Sequence, residues 1–166
     1  MRRLSDVPWA GWTARDVATL LFVVRRGEVL LIRKKRGLGA GKINGPGGRV
    51  EPGETPRDAA VRELHEEVGL VAAAGDATFH GELRFQFVDG YSMHVHVFRT
   101  ESFEGEPIET DEAIPMWTPL DALPFDAMWA DDRLWLPHAL AGQRVDGEFL
   151  FDGDALLDHA LRLSPS

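Results

Sequence analysis

The sequence predicts an α/β protein in which a mixed β-sheet lies between helices, as an α/β/α sandwich. Short apolar runs rich in β-branched residues, separated by turn signals, predict most of the strands. Apolar residues at helical spacing, between clear start and stop signals, predict at least one long helix. The 166 residues, of which 44% are hydrophobic, suffice for one globular domain with a substantial core.

A hairpin opens the folded part of the chain. We expect residues 1–16 to form an N-terminal extension and residues 17–166 to form the domain. Within the domain, residues 18–24 and 29–33 are apolar and are predicted to be two strands joined by a turn. A loop with seven glycines follows between residues 37 and 53. Such a loop allows backbone amides to approach a ligand closely.

The helix after this loop has well-defined ends. Thr55 is expected to cap its N-terminus, and Pro56 to occupy the first helical position, where no amide donor is needed. Gly69 follows the last helical residue, where a left-handed conformation favours glycine. The residues expected to form its buried stripe are Ala60, Val61, Leu64 and Val68.

The second half of the chain is predicted to contain further strands and helices. Strands at residues 82–88 and 92–100 are expected to form a hairpin around Asp89-Gly90. The remaining predicted elements are a loop at 101–111, a short strand at 116–118, a helical turn at 120–123, a helix from Asp131 or Asp132 to Ala141, a strand at 145–151 and a helix at 154–163. The residues expected to face inward from the last helix are Leu156, Leu157, Ala160 and Leu161.

Composition excludes several classes of function. The net charge of −9 argues against nucleic-acid polymers and anionic membranes as partners, because both need a basic surface. No apolar run approaches the ~20 residues of a membrane span, and the first residues do not resemble a signal peptide. The absence of cysteine excludes disulfides, thiolate metal sites and a cysteine nucleophile, and it fits a reducing compartment. We therefore expect a cytoplasmic protein without a membrane partner, and we expect a monomer.

An acidic face makes the long helix the candidate catalytic element. Glu63, Glu66 and Glu67 are spaced at i, i+3 and i+4, so they share one face of the helix. Glu63 and Glu67 repel each other, and only Arg62, four residues before Glu66, offers local relief. A divalent cation such as Mg²⁺, which prefers oxygen ligands, would remove this repulsion. The alternative is a solvated acidic face, which leaves the flanking glycines unexplained.

The residues around this face form a longer motif. Its members are Gly48, Glu54, Arg62-Glu63-Leu64, Glu66-Glu67 and Gly69-Leu70. At all nine of these positions the stretch resembles the box of the Nudix hydrolases. The resemblance implies the Nudix α/β/α fold and a metal-dependent enzyme that cleaves a diphosphate linked to another moiety. Glu54 and Arg62 are expected to form an ion pair that fixes the loop against the helix, since loss of either partner would leave the other unpaired.

The same resemblance implies the metal ligands. Mg²⁺, with Mn²⁺ as a substitute, is expected to bind Glu63, Glu66, Glu67 and the carbonyl of Gly47. Glu112 is expected either to join this set or to act as a base. A group of basic residues before the helix is expected to attract a polyphosphate. They are Arg33, Lys34, Lys35, Arg36, Lys42 and Arg49. Taken singly, such residues are also typical of the solvated end of a strand.

Four further stretches resemble one branch of this family. These stretches are residues 34–45, 93–98, 109–112 and 123–132. The branch comprises the MutT-homologue oxidised purine nucleoside triphosphatases, which cleave 8-oxo-dGTP and 2-hydroxy-dATP to the monophosphate and diphosphate. By this resemblance, a small-molecule nucleotide is the expected substrate. The positions expected to bind it are Thr19, Lys34, Asn44, Phe85, Met93, Trp129, Asp131 and Asp132.

Asp131 and Asp132 carry the most specific expectation. In this branch the tryptophan that Trp129 matches stacks on the purine, and the two aspartates read the edge of the base. Two adjacent carboxyl groups in a dry pocket should not both ionise, so one keeps a proton and donates while the other accepts. The residues by themselves leave two alternatives open, which are a helix N-cap for the aspartates and a core position for Trp129.

Some positions depart from the branch and keep other functions open. Leu38, Ile43 and Ala113 stand where its best-known members carry Phe, Trp and Met. Leu38 and Ala113 offer less surface to a base, which predicts either a wider pocket or an altered substrate preference. One alternative is a broader Nudix pyrophosphatase that acts on ordinary nucleotides, dinucleotides or nucleotide sugars. Another is a binding module that has lost hydrolysis, and the complete set of box glutamates argues against it.

Overall fold

The computed structural model describes residues 1–165, which contain nine β-strands and two α-helices. In chain order the strands are β1 Asp16–Arg25, β2 Glu28–Lys34, β3 Ile43–Asn44, β4 Gly47–Arg49, β5 Thr78–Phe87, β6 Ser92–Thr100, β7 Ala113–Pro119, β8 Arg144–Asp152 and β9 Ala155–Ser164. The helices are α1 Pro56–Val68 and α2 Asp132–Leu140, and short 3-10 turns span Leu4–Asp6, Ala74–Asp76 and Phe125–Ala127. No helix within residues 1–165 combines the length and apolar character needed to span a bilayer.

The strands form one mixed sheet. Its order is β3-β2-β1-β6-β5-β8-β9, with β4 also paired to β1 and β7 also paired to β2. The β1–β6 and β5–β8 pairs are parallel, and the other pairs are antiparallel. This arrangement confirms the predicted mixed sheet, and it places β1 between β4 and β6.

The two helices cover opposite faces of this sheet. Successive side chains of a strand point to opposite faces. Leu21 and Val23 of β1 therefore lie in the core beneath α1, whereas Phe22 and Val24 lie in the core that includes Trp135 of α2. The predicted α/β/α arrangement is confirmed.

Helix α1 begins and ends as its sequence predicts. The Thr55 hydroxyl accepts a hydrogen bond of 3.1 Å from the amide of Asp58, and Gly69 caps the C-terminus with a φ of 78°. Leu64 and Val68 are fully buried, so the helix packs through the expected stripe. On its other side, Arg62 binds Glu54 through two hydrogen bonds, of 2.7 Å from Nε and 2.9 Å from Nη2.

The predicted C-terminal helix at residues 154–163 is wrong, because this segment is strand β9. It turns back at Gly153, where φ is 56°, and pairs antiparallel with β8 along its length. The apolar residues of the segment fit both a helical and a strand spacing, and the free edge of β8 decides between them. Leu156 and Leu161 still pack against the core, from the strand.

Smaller differences occur in the loops. The glycine-rich loop at residues 37–53 contains the short strands β3 and β4. Residues 120–123 form a turn rather than a helical turn, in which the Ala122 amide donates to Pro119, and a 3-10 turn follows at Phe125–Ala127. Strand β7 is longer than predicted because β2 offers it a full-length partner.

The N-terminal residues pack onto the sheet before β1 begins. The Leu4 amide donates to Asp158 on β9 at 2.9 Å, and the Trp12 indole donates to Gln86 on β5 at 2.9 Å. The rings of Trp9 and Trp12 lie 5.3 Å apart. These contacts connect the first residues of the chain to two strands that are distant in sequence.

Gly81 offers a test of how the β5–β8 pairing supports the fold. Its φ is 121°, and a Cβ atom there would lie 1.7 Å from the carbonyl oxygen of Val145 on β8. Gly81→Ala is therefore expected to lower the free energy of unfolding by about 2 kcal/mol or more. Gly75→Ala is the control, because a Cβ atom at Gly75 meets nothing within 4 Å, and urea unfolding of both variants makes the comparison. Equal stability of the two variants would contradict the described pairing.

Candidate functional site

A cleft of about 250 Å³ opens among β1, β2, β5 and β6, the glycine-rich loop and the start of α2. Its lining is mainly apolar, with a few polar groups, as is typical of small-molecule sites. The structure brings together all eight residues predicted to contact substrate. They are Thr19, Lys34, Asn44, Phe85, Met93, Trp129, Asp131 and Asp132.

Neighbouring side chains fix the orientation of Trp129. The rings of Phe87 and Phe151 stand nearly perpendicular to its ring, with centroids 6.1 and 5.6 Å away. The Lys42 ammonium lies over the indole, 5.1 Å from the ring centroid. A Cβ atom on Gly39 would lie 2.9 Å from the indole nitrogen, so glycine allows the loop to pack against the ring. The aromatic surface in the cleft is therefore held rigidly.

Asp131 and Asp132 form a buried pair of carboxyl groups. Only 2% and 7% of their surfaces are exposed. Burial raises the pKa of Asp131, although the Trp135 indole opposes this by donating to its Oδ2 at 2.7 Å. Burial also raises the pKa of Asp132, and the adjacent Asp131 charge and the hydrogen bond between the two carboxyls raise it further. Of the two, Asp132 is the carboxyl favoured to keep a shared proton, and Asp131, which accepts from the Trp135 indole, is the one favoured to ionise.

The position of this pair bears on the alternative that the aspartates only cap a helix. Helix α2 begins at Asp132, and Asp131 occupies the N-cap position. The side chain of Asp131 makes no capping hydrogen bond and is used by Trp135 instead. The two carboxyl groups line the cleft, where they present an acceptor and a donor among apolar side chains.

Thr19 adds another polar group to this cleft. Its side chain is buried, and its hydroxyl has no hydrogen-bond partner within residues 1–165. A buried hydroxyl without a partner costs free energy, so this atom favours a ligand that can bond to it.

A second cleft, of about 370 Å³, adjoins the first one. Glu63, Glu112 and Arg36 line it, together with five residues that also line the first cleft. These five shared residues are Lys34, Gly47, Gly48, Arg49 and Glu67. One elongated molecule can therefore reach the aspartate pair and the glutamates at the same time.

Glu67 lies at the junction of the two clefts and is 3% exposed. Burial raises the pKa of Glu67 to about 8, and the charges of Glu63 and Glu112 add to this effect. A hydrogen bond of 2.7 Å from the Gly47 amide and the charge of Lys34 act in the opposite direction. The carboxylate is therefore only partly compensated by protein groups.

The acidic end of the clefts fits a divalent cation. Burial also raises the pKa of Glu63, although a hydrogen bond of 3.0 Å from Arg62 Nη1 to its Oε1 acts in the opposite direction. A Cβ atom on Gly48 would lie 2.4 Å from the Glu63 carboxyl carbon, so only glycine lets this acid lie against β4. Clustered carboxylate oxygens with excess negative charge are the ligands that hard divalent cations prefer.

Glu66 is arranged differently from the other two helix acids. Its side chain is 48% exposed and pairs with Arg62, with 3.1 Å between Nη1 and Oε2. It is not among the residues that line either cleft. The structure thus places Glu63 and Glu67 in one cleft with the distant Glu112, whereas Glu66 shares the Arg62 guanidinium with Glu63 but stays outside the clefts.

Of the three positions that depart from the branch, only one lines the first cleft. Leu38 lies in the wall of the first cleft and is 45% exposed. Ile43 and Ala113 are buried in the two cores and do not line it. The side chain of Ala113 packs beneath α1, so it contributes no surface to the first cleft.

Several lining residues were missed by the sequence reasoning, and they are Phe87, Tyr91, Trp135 and Phe151. Each looks like an ordinary core residue in sequence. Alternation of Phe85 with Phe87 on one face of β5 is the signal that could have found Phe87. The others come from separate elements that only the sheet pairing brings together.

Comparisons relate the chain to known proteins. The profile of the NUDIX domain matches residues 13–139. An oxidized purine nucleoside triphosphate hydrolase from Danio rerio is 49% identical over 147 residues, which cover 86% of this chain and 92% of that protein. The Mus musculus protein of the same description is 43% identical over 148 residues, covering 87% and 92%. The crystal structure of a MutT protein from Bacillus halodurans superposes with a TM-score of 0.77 at 27% identity, covering 88% of this chain and 97% of that one.

The raised pKa of Glu67 predicts how the stability of the metal-free protein depends on pH. Because the folded-state pKa of about 8 exceeds the ordinary value of 4.5, the folded state binds the extra proton, and its stability falls as pH rises between these values. Glu67→Gln removes this contribution. In EDTA, the variant is therefore expected to lose less unfolding free energy than the wild type between about pH 5 and pH 8, by on the order of 2 kcal/mol.

Urea unfolding at both pH values measures this difference. Glu106→Gln, a change of the same kind at an exposed position, serves as the control and should follow the wild type. Parallel pH dependence of the wild type and Glu67→Gln would show that the Glu67 carboxyl is not held in a desolvated place.

Proposed function

The chain belongs to the NUDIX family, and we propose that it hydrolyses oxidised purine nucleoside triphosphates, such as 8-oxo-dGTP and 2-hydroxy-dATP, to the nucleoside monophosphate and diphosphate. The observation that carries this proposal is the pairing of a base-sized cleft with an adjoining acidic cleft through shared walls. The 49% identity to an oxidized purine nucleoside triphosphate hydrolase supports the same substrate class. The enzyme would thereby remove damaged nucleotides before they enter nucleic acid.

In this proposal the first cleft binds the oxidised base. Trp129 stacks on the purine, since its ring is fixed by Phe87 and Phe151 and lines the cleft. Asp131 accepts a hydrogen bond from the edge of the base and protonated Asp132 donates one. A different sharing of the proton would suit a purine with the opposite donor and acceptor order, which accounts for two oxidised bases in one pocket. Around the base, contacts come from Thr19, Asn44, Phe85 and Met93.

The second cleft holds the phosphates in this proposal. Lys34 lines both clefts, so its ammonium can bind the phosphate chain where it leaves the base pocket. Arg36 and Arg49 add positive charge to the wall of the second cleft. Their charges compensate the phosphates, while the shared glycines allow close approach of the backbone.

The acids at the far end are proposed to hold Mg²⁺, with Mn²⁺ as a substitute. The proposed ligands are the Gly47 carbonyl, Glu63, Glu66, Glu67 and Glu112, and Glu66 joins them only after leaving Arg62. When bound, the cation supplies charge neutralisation at the phosphoryl oxygens and lowers the pKa of a water molecule. Glu112, which lines the same cleft and comes from outside α1, is the carboxylate proposed to take a proton from that water.

We further propose that the enzyme is a cytoplasmic monomer, with residues 1–16 as an extension and residues 17–166 as the catalytic domain. The substrate is a small nucleotide, and the excess of acidic over basic side chains disfavours a nucleic-acid polymer.

A substrate panel tests the proposed activity. With Mg²⁺, kcat/KM for 8-oxo-dGTP and 2-hydroxy-dATP is expected to exceed that for dGTP, dATP and ADP-ribose by at least ~10-fold. Chromatography should find the monophosphate and diphosphate as first products. EDTA and Glu67→Gln should each lower kcat by several orders of magnitude, whereas Glu106→Gln should not. A preference for ordinary nucleotides would instead identify a broader pyrophosphatase, and release of orthophosphate first would exclude the proposed bond cleavage.

The aspartate pair predicts unequal effects of two similar substitutions. Asp132→Asn keeps a donor where the protonated carboxyl had one, so it is expected to retain most activity on at least one oxidised purine. Asp131→Asn brings an amide donor to the place of an acceptor, and kcat/KM is expected to fall by ~10² to 10⁴. The exposed Asp126→Asn is the matched control.

Steady-state kinetics on both oxidised purines and thermal unfolding of all three variants make this comparison. The loss in Asp131→Asn should occur without a matching loss of stability. If both Asn variants kept full activity and unchanged selectivity, the aspartates would not read the base, although the hydrolysis itself could stand.

A further inference from the structure

A cluster of metal-ligating side chains lies outside the two clefts. Glu82 on β5 and His94 and His96 on β6 each place one ligand atom within 4.8 Å of the other two. His96 stands directly opposite Glu82 in the antiparallel pair, and His94 lies two residues earlier on the same face. Backbone pairing between two central strands therefore holds these three side chains together.

The distances within the cluster match those between ligands of a small divalent ion. Glu82 Oε1 lies 3.4 Å from His94 Nε2 and 3.5 Å from His96 Nδ1. Two ligand atoms bound at ~2.1 Å in tetrahedral geometry lie ~3.4 Å from each other. Glu82 Oε1 therefore already lies at ligand spacing from both imidazole nitrogens, and all three ligand atoms lie within 4.8 Å of one another.

His94 provides a second, independent observation. Its Nε2 atom is buried and has no hydrogen-bond partner within residues 1–165, although the Glu82 carboxylate is near. Buried polar atoms in folded proteins are usually paired, so an unpaired imidazole nitrogen beside two other ligand atoms indicates a bound group. The three side chains remain between 17% and 27% exposed, so an ion can reach them.

This cluster is separate from the nucleotide cleft. Met93 and Val95, which alternate with the two histidines along β6, line that cleft, so His94 and His96 point to the opposite face of the strand. On that face the Trp12 ring lies 6.4 Å from the His94 ring, and the Phe79 ring lies 6.3 Å from the His96 ring. The N-terminal residues and β5 thus give the cluster a partly apolar border.

Arg84 is a neighbouring cation that leaves the ligand atoms free. Its Nη2 lies 3.8 Å from Oε2 of Glu82, and its Nη1 lies 4.0 Å from Glu148. The Glu82 oxygen that faces the histidines is the other one, Oε1. Arg84 therefore forms a longer ion pair with the Glu82 oxygen that faces away from the histidines.

We propose that Glu82, His94 and His96 form a second metal site, which binds Zn²⁺ and ties β5 to β6 beneath Trp12. Zn²⁺ accepts imidazole nitrogen together with carboxylate oxygen, and three protein ligands leave a position for water. Mg²⁺ takes oxygen ligands, so it belongs with the glutamates of the acidic cleft and not here. This site is independent of the proposed hydrolysis, because none of its residues lines either cleft.

Calorimetric titration of Zn²⁺ into the metal-stripped full chain tests the site. Excess Mg²⁺ is present throughout to occupy the acidic cleft. The wild type is expected to bind one equivalent of Zn²⁺, and His94→Gln and His96→Gln are expected to bind it at least ~100-fold more weakly. Two control variants should bind Zn²⁺ with wild-type affinity. One is His159→Gln, a change at an exposed histidine, and the other is the Glu63→Gln/Glu67→Gln double variant.

A second measurement uses the wild-type protein, so its result does not depend on whether the variants fold. In NMR spectra of the imidazole groups, one equivalent of Zn²⁺ should shift the resonances of His94 and His96 and leave those of His159 in place. Zn²⁺ should also raise the Tm of the wild type but not that of His96→Gln. Equal Zn²⁺ affinity in the histidine variants, loss of binding only in the glutamate double variant, or unchanged His94 and His96 resonances would each overturn the proposal.

Discussion

Burial of carboxyl groups, Asp131 and Asp132 in the first cleft and Glu67 where the two clefts meet, is the physical constraint that shapes this molecule. A buried charge is costly unless a donor or an opposite charge compensates it. The fold supplies one donor to each critical carboxylate, the Trp135 indole for Asp131 and the Gly47 amide for Glu67. The remaining compensation is left to protons or to a ligand, which makes these groups reactive as well as costly.

Close approach of backbones makes this burial possible. A Cβ atom on Gly47 would lie 1.9 Å from the Thr19 carbonyl oxygen, so glycine alone lets β4 pack here against β1. Because β1 also pairs with β6, the same strand joins the glutamate end to the side of the cleft lined by Met93. The mixed sheet therefore brings the two chemical functions to a single strand.

Strand β6 serves both faces of the sheet. Met93 and Val95 contribute to the cleft, while His94 and His96 face Glu82 on the other side. The two proposed metal sites differ in the hardness of their ligands, with oxygen atoms around Glu67 and imidazole nitrogens beside Glu82. Under both proposals, the two cations would be separated by the chemistry of their ligands within one small domain.

The sequence by itself determined the features that depend on local spacing. The ends of α1, the acidic face of that helix, the hairpin strands and the family motif all follow from short stretches, because capping, periodicity and turn geometry act over a few residues. Resemblance also selected eight of the residues that line the cleft, although not their geometry.

The tertiary structure decided what depends on contacts between distant segments. Residues 154–163 became a strand because β8 offered a free edge, Glu66 turned to Arg62 while Glu112 joined Glu63, and Ala113 entered the core rather than the pocket. The cross-strand meeting of Glu82 with His96 likewise needs the β5–β6 register. Local sequence cannot specify these outcomes, since each is a competition among partners that only the folded chain brings within reach.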